Sequence, residues 1–202
     1  MIENKPGNQN IFHRSLLTRT IAGNRCEYIT ITNKEKTFVK ERSQQKKGVF
    51  ISARVHPGES NSSWMMKGII DFLISDEPEA HLLRENFVFK LVPMLNPDGV
   101  INGNYRCSLV GQDLNRRWKN SSKTLHPENC AVKRLVRAFK KERDVVFYCD
   151  LHGHSRRKNI FMYGNNNPEM PHQTRVFPYL LSKLCDYFSF EQSRFSNSLL
   201  KE

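Results

Sequence analysis

Three apolar runs dictate most of what this chain of 202 residues can become. GVFISAR (48–54), FVFKLVPM (87–94) and VVFYCDL (145–151) are strand-length and rich in β-branched and aromatic residues. The first and third are nearly unbroken in hydrophobicity, as expected of strands covered on both faces. Between the runs the period changes. Trp64, Met65, Gly68, Ile69, Phe72 and Leu73 fall on one helical face, and Val132, Leu135, Val136 and Phe139 on another. Asn61 or Ser62 is placed to cap the first helix. A third helix is expected to begin near Pro178 and to carry Leu180, Leu181 and Leu184. Strands alternating with helices predict an α/β fold, with helices packed around a largely parallel or mixed sheet. CEYITIT (26–32) reads as an earlier strand, the first ten or so residues as a polar flexible tail, and EKTFVKERSQQKK between Asn33 and Lys47 as a solvated loop.

A polar cluster follows each of the three runs directly: HPGE (56–59), NPDG (96–99) and HGH (152–154). Open α/β sheets bind ligands in the crevice beyond the carboxyl ends of their strands, so parallel strands bring the clusters together there. HPGE offers an imidazole and a carboxylate around a tight Pro57–Gly58 turn. A third nitrogen ligand completes the His₂Glu set of catalytic zinc sites, with the fourth position left for water. His152 and His154 both qualify, and His152 is the better fixed because it directly follows the strand. His13, His81, His126 and His172 sit in polar surroundings and read as surface residues.

The segment NPDGVINGNYRCSLVGQDLNRRW (96–118) is long for a loop without regular structure, which favours a functional role. It supplies Arg106, Asn115, Arg116 and Arg117. An arginine fork matches a carboxylate bidentately, and an asparagine adds a further donor. A zinc site beside carboxylate receptors points to removal of a terminal residue from a peptide, with an arginine steadying the developing oxyanion.

The bulk properties narrow the setting. With 32 Lys+Arg against 20 Asp+Glu, the net charge of +12 favours acidic partners without choosing among them. A nucleic-acid module would explain that charge and none of the motifs. The five cysteines are scattered without a CxxC pair, which indicates neither a cysteine-rich zinc module nor a disulfide framework. Cys149, inside an apolar strand, reads as a reduced core residue. No signal-peptide pattern opens the chain and no stretch is long enough to span a membrane, so a reducing compartment, cytosol or nucleus, is expected, with a cytoplasmic protein favoured.

HPGES, LNPDGVINGNYRCSLVGQDLNRRW and DLHGHSRRKNIFMYG together resemble the M14 zinc metallocarboxypeptidases, specifically the cytosolic carboxypeptidase branch. RTIAGNRCEYITIT (19–32) is similar to the stretch before that family's first motif. The resemblance implies a mixed sheet sandwiched by helices and a catalytic domain over residues 19–202, after a polar segment over 1–18. It implies one Zn²⁺ held by His56, Glu59 and His152. Arg106 then polarises the scissile carbonyl, and Asn115 with Arg116 grips the terminal carboxylate. It further implies attack by zinc-activated water to remove glutamates from acidic or polyglutamylated protein tails, with tubulin a substrate of the branch. The general base of such enzymes is a glutamate in a late motif like YTLE. No such motif precedes the final SLLKE, so the domain is expected to be C-terminally incomplete, lacking its last strands. Glu128, Glu142, Glu169, Glu191 and Glu202 all lack that context, and the base is assigned to no residue. Two alternatives share the site: an inactive zinc-containing module that binds acidic tails, and a small-molecule zinc deacylase of the aspartoacylase kind.

Overall fold

The computed structural model of the chain describes residues 8–33 and 46–196. The predicted EKTFVKERSQQKK loop and the final SLLKE lie largely outside the described residues. The chain divides into two compact units, Met1–Gly153 and His154–Glu202.

The first unit is built on a five-stranded sheet in the order β1-β2-β4-β3-β5. Its strands are β1 (Phe12–Arg19), β2 (Arg25–Ile31), β3 (Lys47–Ala53), β4 (Phe87–Val92) and β5 (Val145–Leu151). β1 pairs antiparallel with β2 and β2 antiparallel with β4, whereas β3 runs parallel to both β4 and β5. The sheet is therefore mixed, with its three parallel strands being the three apolar runs. β1 corrects the reading of residues 12–18 as part of a polar tail. Its pattern, FHRSLLTR, buries Phe12 and alternates little beyond it, so neither a period-two signal nor an apolar run marks it.

Each face of the sheet carries its own core. On one side Ile29, Ile31, Val49, Ile51, Phe89 and Leu91 pack with Met66, Ile70 and Leu73 of α1 (Ser60–Leu73). On the other, Cys26, Phe50, Val92 and Leu95 pack with Val132 of α4 (Pro127–Glu142). Fully buried Phe50 and Phe139 each contribute about 2–3 kcal/mol of hydrophobic stabilisation by this burial. Short helices α2 (Pro78–Asn86) and α3 (Pro97–Ile101) flank β4.

α4 buries Val132 and Phe139, with Leu135 and Val136 packed beside them, as its periodicity predicts. α1 has the right period and the wrong phase. Its buried line is Ser62, Met66, Ile70 and Leu73, while Trp64 is 71% exposed. Large aromatic side chains drew the expected face one position away from the one that packs. Its cap also differs. Glu59 occupies the N-cap position, and the Ser62 hydroxyl donates to the Glu59 carbonyl at 2.8 Å instead of capping.

Within the second unit, α5 (Gln173–Leu184) starts five residues before Pro178, which sits inside the helix at the cost of one backbone hydrogen bond. Leu180 and Leu184 of this helix are exposed. A two-stranded parallel ribbon joins β6 (Tyr163–Gly164) to β7 (Arg194–Phe195). The Arg157 guanidinium stacks over Phe161 and Tyr163 in the same unit.

One buried acid in α4 has a measurable consequence. Glu128 is 3% exposed in the first turn of the helix. Burial pushes its carboxyl from 4.5 up to about 7; its own backbone N–H opposes the rise and the nearby Asp98 charge adds to it. A carboxyl raised on folding destabilises the native state as pH climbs from the unfolded value to the folded one, and by a constant amount above that. Glu128→Gln is therefore expected to be neutral near pH 4.5 and stabilising by on the order of 3 kcal/mol above pH 7. Urea unfolding at the two pH values measures this, and a pH-independent difference contradicts it.

Candidate metal centre

The parallel run of β3, β4 and β5 sets the carboxyl ends of all three strands on one edge, and the predicted clusters meet there. The chain leaves β3 through Arg54, which adopts φ of 60°, a left-handed conformation that costs a non-glycine residue about 1 kcal/mol or more. Hydrogen bonds hold it there. Arg54 Nε donates to the Pro57 carbonyl at 2.8 Å and Nη1 to Ser63 Oγ at 2.7 Å. The HPGE turn is thus braced from beneath. It is also packed against its neighbours. The Gly58 N–H donates to the Tyr105 carbonyl at 2.7 Å, and a Cβ there would stand 2.7 Å from that same oxygen. Gly99 of NPDG lies so close that a Cβ would meet Pro57 Cγ at 2.4 Å. Both glycines are required by close approach, and they fix the Arg106 loop and the NPDG turn against the histidine turn.

His56, Glu59 and His152 come together with one ligand atom each, all within 4.8 Å of one another. Nδ1 of His56 lies 2.9 Å from Glu59 Oε1, and Nδ1 of His152 lies 3.1 Å from Oε2. Each imidazole has its other nitrogen on a separate carboxylate: His56 Nε2 is 3.1 Å from Asp113 Oδ1, and His152 Nε2 is 2.8 Å from Asp150 Oδ2. Those carboxylates are placed to accept the Nε2 protons, the tautomer that would leave each Nδ1 lone pair for a metal ion. Asp150 is in turn held by the Ser52 hydroxyl at 2.7 Å.

The electrostatics suit a cation. Burial works against ionising Glu59, but hydrogen bonds from His152, His56 and the Gly153 N–H outweigh it and hold the carboxyl well below the usual range. Asp113 is also lowered; its burial is overcome by His56, the Asn115 N–H and Arg106. For His152, burial favours the neutral ring, yet Asp150 and Glu59 pull it up to about 10. Two Nδ1 lone pairs and a carboxylate converging on one point repel one another unless protons or a metal ion lie between them. This donor set, two imidazoles and one carboxylate with carboxylates behind both rings, fits a zinc ion.

Two of the residues expected to meet a substrate, Arg106 and Asn115, are tied to the same centre through Asp113. Its Oδ1 accepts the Asn115 N–H at 2.8 Å as well as facing His56, and its Oδ2 accepts Arg106 Nε at 2.7 Å. Leu114 anchors the short 3-10 turn Leu114–Arg116 in the core with no exposure. Arg106 and Arg116 are exposed, so both guanidinium groups are open to a ligand. His154, the alternative third ligand, belongs to the second unit, where its ring meets Phe161 edge-on and its Nδ1 accepts backbone N–H groups of Arg156 and Arg157.

Sequence reasoning missed three contributors. Asp113 and Asp150 each sit within two residues of a named site residue and were legible only as carboxylates near the motif. His126, expected on the surface, is 4% exposed and occupies the N-cap position of α4 without a side-chain capping bond. Its Nδ1 accepts the Ser122 N–H at 3.0 Å and its Nε2 lies 2.6 Å from Gln112 Oε1, so it buckles the far end of the clamp loop. Turn residues on both sides concealed its burial. Of the acids considered for a general base, Glu128 is buried beside Asp98, and Glu142 ends α4 in a recess with His13 and Lys90. Neither joins the metal group.

A mixed sheet with a His₂Glu donor set at its strand ends, beside Arg106, Asn115 and Arg116, places the chain structurally among the metallo-carboxypeptidases. The sequence model of the zinc carboxypeptidase family matches residues 5–188, and the chain belongs to that family. It is 49% identical over 205 residues to cytosolic carboxypeptidase 2 of Mus musculus, covering all of this chain and 23% of the relative. It is 46% identical over 206 residues to cytosolic carboxypeptidase 3 of Bos taurus, covering all of this chain and 20% of that protein. The chain thus spans about a fifth of the length of these curated relatives. Among solved structures, a metallo-carboxypeptidase from Burkholderia cenocepacia superposes with a TM-score of 0.81 at 25% identity, covering 95% of this chain and 50% of that one. A metallo-carboxypeptidase from Pseudomonas aeruginosa, solved with (2-guanidinoethylmercapto)succinic acid, gives a TM-score of 0.76 at 26% identity, covering 91% of this chain and 48% of that one.

Proposed function

We propose that this centre serves a zinc carboxypeptidase that removes glutamates, terminal or side-chain-linked, from acidic protein tails such as those of tubulin, in the cytoplasm. The observation that carries the reading is the shared anchor Asp113, which orients the metal ligand His56 while holding Arg106 and Asn115. One residue couples the place where a peptide bond is cut to the place where a chain end is held. His56, Glu59 and His152 hold the ion, which when bound supplies Lewis acidity toward the scissile carbonyl and lowers the pKa of water. Arg106 stabilises charge developing on the carbonyl oxygen. Asn115 and Arg116 receive the terminal carboxylate as donors, and the net charge of +12 favours acidic tails over neutral ones. The names of the cytosolic carboxypeptidase relatives support the peptidase class and the compartment, and among the described residues no helix is long and apolar enough to cross a membrane.

The test is release of free glutamate from peptides ending in several glutamates, by zinc-loaded protein, with alanine-ended peptides as control. Preferential glutamate release is expected from the protein that carries this centre together with a general base. Tight binding of the glutamate peptides with no release by any form favours the inactive tail-binding module. Equal turnover of both peptides, or turnover of N-acyl amino acids alone, contradicts the reading.

A further inference from the structure

The indole of Trp118 lies half-buried beside the clamp, and its Nε1 is 2.8 Å from Asn115 Oδ1. An indole N–H only donates, so its partner must be the amide oxygen. Oδ1 is thereby engaged, and among the described residues Nδ2 of Asn115 has no acceptor. Trp118 is itself fastened. Lys133 of α4 donates from Nζ to the Trp118 carbonyl at 2.6 Å, with Ser121 Oγ at 3.3 Å. One turn earlier on the same helix, Asn129 Nδ2 donates to the Leu114 carbonyl at 2.8 Å. The backbone on both sides of Asn115 and Arg116 is therefore pinned to α4.

Resting on the clamp reading of Asn115 and Arg116, we propose that Trp118, tethered by Lys133, is a specificity-determining positioning residue. It locks the Asn115 side chain so that the clamp meets a ligand with N–H donors. A carboxylate satisfies donors on both of its oxygens. A terminal carboxamide brings an NH₂ that finds no acceptor, and a site left with unmatched polar groups rejects it. Without the indole donor, the Asn115 amide turns over at little cost and offers its oxygen to an amide ligand.

The test measures dissociation constants of the zinc-loaded chain for a glutamate-ended peptide with a free α-carboxylate and for the same peptide with a terminal carboxamide. The readout is the acid-to-amide preference. Trp118→Phe is expected to lower that preference about tenfold, and Lys133→Met to lower it in the same direction by about threefold, with zinc stoichiometry unchanged. A preference unchanged in both variants, while Arg116→Ala abolishes it, overturns the proposal and leaves the clamp standing. An equal loss of affinity for both peptides marks a merely structural role and also overturns it. If Asn115→Ala and Arg116→Ala leave the preference intact, the clamp reading itself fails and the proposal falls with it.

Discussion

Alanine at His56 or at His152 is expected to abolish stoichiometric zinc binding. Each substitution leaves one imidazole and one carboxylate, too few to fix the ion against solvent, and also strips Glu59 of one of the hydrogen bonds that keep it ionised. Because zinc binds the folded chain, the loss also appears in stability. At a thousandfold excess over the dissociation constant, the ion stabilises the native protein by about 4 kcal/mol. Zinc should therefore raise the melting temperature of the unsubstituted chain and leave both variants where they were. Metal content after gel filtration gives the stoichiometry directly. One zinc per chain retained in both variants contradicts the ligand assignment. Two of the thiols, Cys26 and Cys149, are poor substitutes. Burial pushes Cys26 up to about 12 and Cys149 up to about 11, so neither is a thiolate at neutral pH.

Asp113→Asn is expected to have the next largest effect, and on two functions at once. The carboxylate accepts from the Asn115 N–H and Arg106 Nε and faces His56 Nε2. An asparagine has one oxygen for three donors, and its NH₂ repels whichever N–H it faces. Zinc affinity should fall by about 10- to 100-fold through misorientation of His56. Affinity for a glutamate-ended peptide should fall as well, because Arg106 and Asn115 lose their anchor. Asp150→Asn is the matched control. It disturbs His152 from behind but touches neither clamp residue, so metal affinity should drop while the acid-to-amide preference persists. Calorimetric titration with zinc and then with peptide separates the two effects. Identical losses in both variants contradict the coupling role given to Asp113.

The parallel strands, the clusters after them and the residues of the metal group were legible because each depends on local signals. Apolar runs of strand length mark covered strands, and polar residues directly after them have nowhere to go but the strand ends. β1 was not legible. Among the described residues it is an outer strand paired with β2, and Phe12 is its single buried residue, so its composition looks like a tail. The phase of α1 failed for a different reason. Trp64 and Phe72 are the bulkiest apolar residues on the helix, yet they face away from the sheet, and only packing against β3 and β5 selects Met66 and Ile70. Asp150 and His126 act on near neighbours but carry no motif signal of their own, whereas Asp113 was hidden because its role is long-range. His56 lies 57 positions from Asp113, and no spacing rule connects them. Within the centre, sequence exposes the atoms that touch the ion far better than those that hold these atoms still.

X-ray absorption at the zinc edge of the zinc-loaded chain tests the central claim most directly. The account requires one ion surrounded only by nitrogen and oxygen at about 2.0–2.2 Å, with the outer-shell scattering of two imidazoles. That signature should vanish in the His56→Ala and His152→Ala variants. A sulfur shell at about 2.3 Å, or an imidazole count unchanged by both substitutions, would place the metal elsewhere and contradict the centre built from His56, Glu59 and His152.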